Sequence, residues 1–257
     1  MGQFADVQAF VRDANRAANL HDLGGLLEGI VRELDFDYYA IIHHVDLNAL
    51  PGGALRLSNY PQTWAEVLLK RRYFVDDPIL AGAQRTSAGF LWQDVPKLVT
   101  LTQRQEEILE SATHEGLGGG FTVPAHVPGE FFGSSSFGVR YGQEVPLANL
   151  PAVHYVGSFA FEAARRIARA NTMALINPTN KTPRLTPRQL DCVVLAAQGK
   201  SVGVMGQLLG ISPETAHEHI EEAKRRLGVA RKEQMIARAL FYGLITFSDV
   251  FSPQLGG

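Results

Sequence analysis

The chain of 257 residues has little cysteine and no long apolar run. Its single cysteine, Cys192, excludes an intramolecular disulfide and a cysteine-based zinc site. The longest apolar stretches, such as CVVLAA and YYAII, are far shorter than the roughly 20 residues of a membrane span. The first twenty residues also lack the pattern of a signal peptide. These absences predict a cytoplasmic protein with no membrane partner, in which Cys192 is a buried structural thiol.

The charge of the chain is divided unevenly along its length. Residues 177–247 carry ten Lys and Arg against six Asp and Glu, whereas the rest of the chain carries fourteen against twenty. A small basic unit therefore follows a larger acidic one. This asymmetry favours a nucleic-acid partner, here double-stranded DNA, for the second unit.

The stretch Asn177–Arg184, NPTNKTPR, contains two prolines and no apolar side chain besides them, which is typical of a linker. We therefore predict a first domain over residues 1–172, a linker over 173–183 and a second domain over 184–257. Because helical and strand-like patterns are mixed upstream, the predicted fold class is α+β. We expect an N-terminal α/β/α sandwich with a central antiparallel sheet, followed by a small all-α domain of four helices.

The upstream patterns that lead to this expectation are of two kinds. Apolar residues recur at helical spacing over residues 4–20, 21–34, 61–73, 102–116 and 151–171. Stretches rich in β-branched and aromatic residues, bounded by Gly, Pro or Asp, predict strands over residues 36–46, 53–60, 118–127 and 133–142.

The downstream domain has the pattern of a helix-turn-helix. Four short helical segments follow one another. The connection LGIS between the second and third is so short that it predicts a sharp helix-turn-helix corner. Ser212 is a suitable N-cap and Pro213 suits the first position of the third helix, which would enter the major groove. A solvated charged helix is the alternative interpretation of this segment. The candidate DNA contacts are Thr215, His217, Glu218, Glu221, Lys224, Arg225 and Arg231.

The run from Leu185 to Val229 resembles the LuxR-type DNA-binding domain, with its Leu-Thr-x-Arg opening, Gly-Lys-Ser, Leu-Gly-Ile-Ser and terminal Arg-Leu-Gly-Val. The sequence departs from that family at Gln189, where an acidic residue is usual, and at Val204-Met205-Gly206 in place of Glu-Ile-Ala. Acidic residues in the third helix repel phosphate, although a Glu can accept a hydrogen bond from cytosine N4. Low DNA affinity, an unusual operator and loss of DNA binding remain open.

An aromatic and acidic set lies near the middle of the first domain. Tyr60, Trp64 and Leu68 are spaced four residues apart, so a helix that starts near Pro61 places them on one face. Asp77 precedes a proline, which favours an extended backbone there. A buried carboxylate needs hydrogen-bond donors from the protein or from a ligand. An Asp that caps a helix beside core aromatics is the alternative.

The same set resembles the autoinducer-binding domain of LuxR-type quorum-sensing receptors. Trp64, Asp77 followed by Pro78, and Trp92 reproduce the intervals of the family, as do NYP at Tyr60 and the glycine at Gly120. The resemblance implies an N-acyl-homoserine lactone as the ligand, with no other cofactor and no metal. Trp64 would donate to the lactone carbonyl, Asp77 would accept the amide N–H, and Tyr60 would donate to the acyl carbonyl. The implied ligand-binding residues are Tyr60, Trp64, Leu68, Asp77, Trp92 and Ser136; Leu68 replaces the usual tyrosine.

Together these features predict a ligand-responsive transcription regulator that binds DNA as a homodimer, with RNA polymerase as a further candidate partner. A LuxR-type solo or antagonist, which binds another ligand or a partner regulator, remains the alternative. A response regulator is disfavoured because the chain opens with helical patterns. GLGGGF fails the dinucleotide-binding spacing, and no catalytic cluster is recognisable, so an enzyme is not expected.

Overall fold

The structure is a computed structural model that describes residues 2–45, 54–128, 130–176 and 183–251. The chain divides into two compact units, Met1–His126 with Phe131–Pro178 and Val127–Glu130 with Thr179–Gly257. Within the described ranges, no helix is long and apolar enough to cross a membrane.

The described part of the first unit contains an antiparallel sheet of five strands in the order β2-β1-β5-β4-β3. Four strand patterns of the sequence are confirmed. The fifth strand, β3, pairs with β4 through two residues, which is too short to show alternation. The strands are β1 Tyr38–His43, β2 Arg56–Ser58, β3 Phe90–Leu91, β4 Leu117–Ala125 and β5 Gly133–Arg140.

Helices cover both faces of this sheet, as the predicted α/β/α sandwich requires. The first face packs against α1 Gly2–Ala14, α2 Leu20–Glu33 and α7 Leu150–Ile176. On the second face lie α3 Gln62–Lys70, α4 Pro78–Ala83, α5 Val95–Leu98 and α6 Gln103–His114. Three short 3-10 segments, Tyr73–Val75, Trp92–Asp94 and Leu147–Asn149, connect these elements. Helix α5 was not expected from the sequence, because its four residues are too few to show a helical period, whereas α4 was expected only in the alternative in which Asp77 caps a helix.

Strand alternation sorts a run of three buried serines in β5 between the two faces. Ser135 donates from its Oγ to the carbonyl of Gly157 in α7, at 2.8 Å. Ser134 and Ser136 therefore lie on the opposite face, which α3 and α4 cover. Because of this alternation, β5 presents two hydroxyl groups to the second face of the sheet.

The second unit is all-helical and contains the predicted helix-turn-helix. Its four expected helices are confirmed, and a fifth short helix at the end of the described range was not expected. The helices are α8 Pro187–Ala197, α9 Val202–Leu209, α10 Pro213–Leu227, α11 Lys232–Phe241 and α12 Phe247–Phe251. Cys192 lies in their core and is fully buried, as expected of a structural thiol, and burial raises its pKa. Gln189, the departure from the family pattern, forms a capping box with Thr186.

The predicted linker over residues 173–183 is described in part. Helix α7 continues to Ile176, so the first residues of that range are helical. Residues 177–182, which include most of the NPTNKTPR stretch, lie outside the described residues.

Candidate functional site

The predicted aromatic residues lie together on the second face of the sheet. Helix α3 begins at Gln62, so Tyr60 lies before the helix. The sequence had suggested that Tyr60 shares one helical face with Trp64. Trp64 is buried on this helix, and Tyr60, Leu68 and Trp92 pack against the same cluster. The structure therefore brings these four candidates together, although Tyr60 and Trp64 do not share a helix.

Tyr73 belongs to this cluster, and the sequence analysis missed it. Its ring lies 6.2 Å from that of Trp64, and its hydroxyl accepts a hydrogen bond from Arg71 at 3.0 Å. Arg72, with a φ of 54°, breaks the helical backbone just before it. Helical spacing from Trp64 therefore gave no signal for Tyr73.

Asp77 has two structural relations. Its Oδ1 caps α4 by accepting from the amides of Ile79 at 2.8 Å and Leu80 at 3.4 Å, as the alternative interpretation proposed. The residue also borders a cavity of about 390 Å³ that Phe74 and Leu80 line. A carboxylate has about four lone-pair positions, so the cap leaves Asp77 able to accept from a ligand.

Asp77, Tyr60 and Ser136 are close enough to influence one another electrostatically. Burial raises the pKa of Asp77 to about 6, against the opposing effect of the amides of Ile79 and Leu80. Burial and then the Asp77 carboxylate raise the pKa of Tyr60, whereas its hydrogen bond with Ser136 lowers it. Tyr60 precedes α3, Asp77 caps α4 and Ser136 lies in β5, so only the tertiary fold brings the three residues together.

Trp92 extends the polar chain across the sheet. Its indole Nε1 donates to Thr122 Oγ1 at 2.9 Å, and Thr122 Oγ1 lies 2.8 Å from Ser136 Oγ. The ring lies so close to β4 that a Cβ at Gly120 would be 2.5 Å from it. Thr122 was missed by the sequence analysis, although it follows Gly120 by two residues and thus shares its face. Trp92 therefore packs against β4, and its N–H is already used within the protein.

The polar groups on this face can both donate and accept hydrogen bonds. Asp77 is an acceptor, and the Tyr60 and Ser136 hydroxyls can donate or accept. Within the described ranges the indole N–H of Trp64 has no hydrogen-bond acceptor. No cluster of three or more His, Cys, Asp or Glu that could hold a metal is found in the part of the chain that the structure describes.

In the second unit, α10 is the second helix of the helix-turn-helix. Ser212 caps it by accepting from the amide of Thr215 at 3.1 Å, and Thr215 is half-buried. His217, Glu218, Glu221 and Arg225 are exposed along the helix, as the sequence indicated. The predicted contact Arg231 is exposed just before α11.

The cations near the end of α10 are paired with carboxylates of the same helix. Lys224 Nζ lies 2.6 Å from Glu221 Oε1, and Arg226 Nε lies 2.9 Å from Glu222 Oε1. Arg225 also pairs with Glu222. Any phosphate must therefore compete with these carboxylates for the cations of α10.

Close packing at Gly206 shapes the corner between α9 and α10. A Cβ there would lie 2.8 Å from the carbonyl oxygen of Ile211 and 3.2 Å from the nitrogen of Pro213. A Cβ at Gly203, in the same helix, would have no neighbour closer than 3.9 Å. The glycine that departs from the family pattern is therefore required by this corner.

We expect Gly206→Ala to destabilise the second unit by about 2 kcal/mol, since overpacking against rigid backbone costs that much. Gly203→Ala is the matched control and should stabilise α9 by about 1 kcal/mol. Chemical denaturation followed by circular dichroism measures both. Equal effects of the two substitutions would contradict this account of the corner.

The fold and these two sites define a class of protein: a small-molecule-binding domain joined to a helix-turn-helix DNA-binding domain. Residues 19–164 match the autoinducer binding domain, and residues 183–239 match the luxR family of bacterial regulatory proteins. The chain belongs to the LuxR family of quorum-sensing regulators. Members of this family are transcription regulators, not enzymes.

Individual relatives agree with this assignment. The chain is 28% identical over 187 residues to the transcriptional activator protein BjaR1 of Bradyrhizobium diazoefficiens, covering 72% of this chain and 74% of the relative. It is 27% identical over 222 residues to the quorum sensing-dependent transcriptional regulator RpaR of Rhodopseudomonas palustris, covering 85% and 86%. The crystal structure of Escherichia coli SdiA is similar in fold, with a TM-score of 0.66, 20% identity and coverage of 94% and 98%.

Proposed function

We propose that this protein senses an N-acyl-homoserine lactone in the cytoplasm and controls target promoters as a homodimer. In this proposal the ligand-binding domain lies within residues 1–172 and the DNA-binding domain within 184–257. The observation that supports it most directly is the convergence of Tyr60, Asp77 and Ser136 beside Trp64 on one face of the sheet. These residues come from three separate stretches of the sequence and supply complementary hydrogen-bonding groups.

Each polar group has a partner on such a ligand. The Asp77 carboxylate accepts the amide N–H, and the Trp64 indole donates to the lactone carbonyl. Tyr60 donates to the acyl carbonyl, and Ser136 holds the Tyr60 hydroxyl in place. A hydrogen bond to a charged acceptor contributes about 1.5–3 kcal/mol, so Asp77 supplies the largest single polar term. Leu68, in place of the family tyrosine, makes the wall beside Trp64 aliphatic.

Dimerisation would bring two α10 helices to a near-palindromic DNA site. We assign the dimer contacts to α7 and α11. Tyr155 on α7 is 45% exposed and packs on Phe159, with ring centroids 4.7 Å apart, which leaves an aromatic surface on that helix. RNA polymerase is a further proposed partner at the promoter.

Thermal melting against a panel of acyl-homoserine lactones tests this proposal. A ligand that binds the folded state alone stabilises it by about 4 kcal/mol at a thousandfold excess over its dissociation constant. For a domain of this size, that corresponds to a rise in melting temperature of about 10 °C. The panel should include alkyl and aryl chains of several lengths.

The matched control ligand is an ester analogue in which oxygen replaces the amide nitrogen. It retains the lactone and the chain but gives Asp77 no donor, so we expect a much smaller rise in melting temperature. A cooperative melt that no lactone shifts would refute the proposal. An equal rise with the ester would refute the role of Asp77.

A LuxR-type antagonist with weak DNA binding is the second candidate. The ion pairs of Glu221 and Glu222 with the cations of α10 favour it, because they oppose binding to phosphate. The departure at Leu68 is also compatible with another ligand. Such a protein would bind a partner regulator in a pull-down with purified components and would not bind promoter DNA on its own.

A further inference from the structure

A partly buried polar pair lies on the second face of the sheet, outside the group formed by Tyr60, Trp64, Asp77 and Ser136. Nε2 of His44 is 2.9 Å from Ser134 Oγ, and Ser134 is 0% exposed. Among the described residues, the buried Nδ1 of His44 has no hydrogen-bond partner. Neither residue has a role in the function proposed above.

The register of the sheet places Ser134 on the same face as Ser136, and one cavity is lined by both His44 and Asp77. Ile42 pairs with Ser134 and Ala40 pairs with Ser136, so the two serines lie on one face, about 7 Å apart along β5. His44 lines the same cavity as Asp77, together with Phe74 and Leu80.

The neighbouring His43 points to the opposite face. Its ring lies 5.5 Å from that of Phe161 on α7. The adjacent histidines therefore have different environments, and His44 is the one beside the cavity.

The chemistry of His44 restricts what can bind there. Burial, and then the neighbouring His43, lower the pKa of His44 to about 4, so the ring is neutral at neutral pH. In a neutral imidazole one nitrogen donates and the other accepts. If Nε2 donates to Ser134, Nδ1 is an acceptor; if Nε2 accepts, Nδ1 is a donor. A hydroxyl group satisfies Nδ1 in either tautomer.

We propose that the acyl tail of the ligand carries a hydroxyl group that hydrogen-bonds to Nδ1 of His44, with Ser134 fixing the orientation of the ring. This inference rests on the proposed function, because it concerns the tail of the same acyl-homoserine lactone. An unsubstituted tail that fills the cavity displaces water from Nδ1 and leaves it without a partner, and an unpaired polar group lowers affinity.

The test compares matched ligand pairs by isothermal titration calorimetry on the full chain. One pair is an alkanoyl-homoserine lactone and its terminally hydroxylated analogue. The other is a phenylalkanoyl-homoserine lactone with and without a para-hydroxyl. We expect the hydroxylated member of at least one pair to bind about tenfold more tightly, and the pair that shows the gain identifies an alkyl or an aryl tail.

Three variants assign this gain to the pair. His44→Phe removes both ring nitrogens while keeping an aromatic ring, and it should abolish the preference for the hydroxylated ligand. Ser134→Ala is a smaller change that should reduce the preference for the hydroxylated ligand. It tests the inference even if His44→Phe does not fold. His126→Phe is the matched control, since His126 is exposed and stacks on Phe132 at 4.4 Å, and it should keep the full preference.

Asp77→Asn separates the head group from the tail, because it should weaken both members of a pair equally. Equal affinity within both pairs in the unaltered protein would overturn the inference while leaving the proposed function intact. The inference also fails if His44→Phe and Ser134→Ala both bind ligand with the preference unchanged. If no lactone of either kind binds, the inference and the proposed function fail together.

Discussion

Asp77→Asn should weaken ligand binding by between about ten- and a hundredfold while leaving the unliganded protein at least as stable as before. The loss follows because a neutral amide replaces the charged acceptor of the ligand N–H, and charged hydrogen bonds are about twice as strong as neutral ones. The variant retains the cap of α4, since Asn caps helices as well as Asp does. Calorimetric titration with the best lactone of the panel measures the affinity.

The stability of the unliganded variant follows from the pKa of Asp77, which burial raises from 3.8 to about 6. Between these values the folded state binds more protons than the unfolded state, so stability decreases as pH rises through this window. At pH 7 the full cost of ionising the buried Asp77 carboxylate is present, and it lowers the free energy of unfolding by about 3 kcal/mol. Asn carries no charge, so the variant should melt several degrees higher at pH 7 and lose this pH dependence.

Ligand affinity should have the opposite pH dependence. Because the ionised carboxylate is the acceptor, binding should decrease about tenfold for each pH unit below 6 and level off above it. Asp13→Asn is the matched control, since Asp13 pairs with Arg12 at 3.4 Å on the surface of α1, across the sheet from the proposed site, and should change neither property. A variant at Asp77 that binds lactone as tightly as the unaltered protein would contradict the assigned role.

Local sequence patterns mark some residues of the proposed site and not others, for a physical reason. Tyr60, Trp64 and Leu68 repeat at helical spacing, and Asp77 precedes a proline, so local patterns mark them. Tyr73 follows the left-handed Arg72, which ends any helical period. Tyr73 could therefore be found only from the folded structure.

The polar residues of the strands show the same limit. Ser136, Thr122 and Trp92 meet because β5, β4 and the segment after β3 are adjacent in the sheet. The alternation of each strand predicts which residues share a face, but not which strands are neighbours. Alternation likewise gives no signal for His44, because its partner Ser134 lies in another strand.

Some features of α10, by contrast, could be predicted from spacing. Glu221 and Lys224 are three residues apart, and Glu222 and Arg226 are four apart, so helix geometry brings each pair together. The cations and the carboxylates of α10, treated together, predict a DNA-facing helix whose cations are partly neutralised.

The double variant Glu221→Gln/Glu222→Gln should therefore bind DNA more tightly, by between about ten- and a hundredfold at 0.1 M salt. It frees Lys224 and Arg225 for phosphate contacts and removes two charges that repel the DNA backbone. Each additional phosphate contact contributes a slope of about −0.9 to the dependence of log affinity on log salt, so the slope should become steeper by about 2. Fluorescence anisotropy with a labelled duplex at several salt concentrations measures both quantities.

Glu28→Gln/Glu33→Gln is the control with the same change in net charge, placed on α2 of the first unit. It should change neither the DNA affinity nor the salt slope. A gain that came from net charge in general would instead appear in both double variants. If the carboxylates accept hydrogen bonds from cytosine, the double variant on α10 gains affinity for random duplexes but loses discrimination among sequences. An unchanged salt slope would show that the ion pairs of α10 do not compete with phosphate, and the argument for weak DNA binding would lose its physical basis.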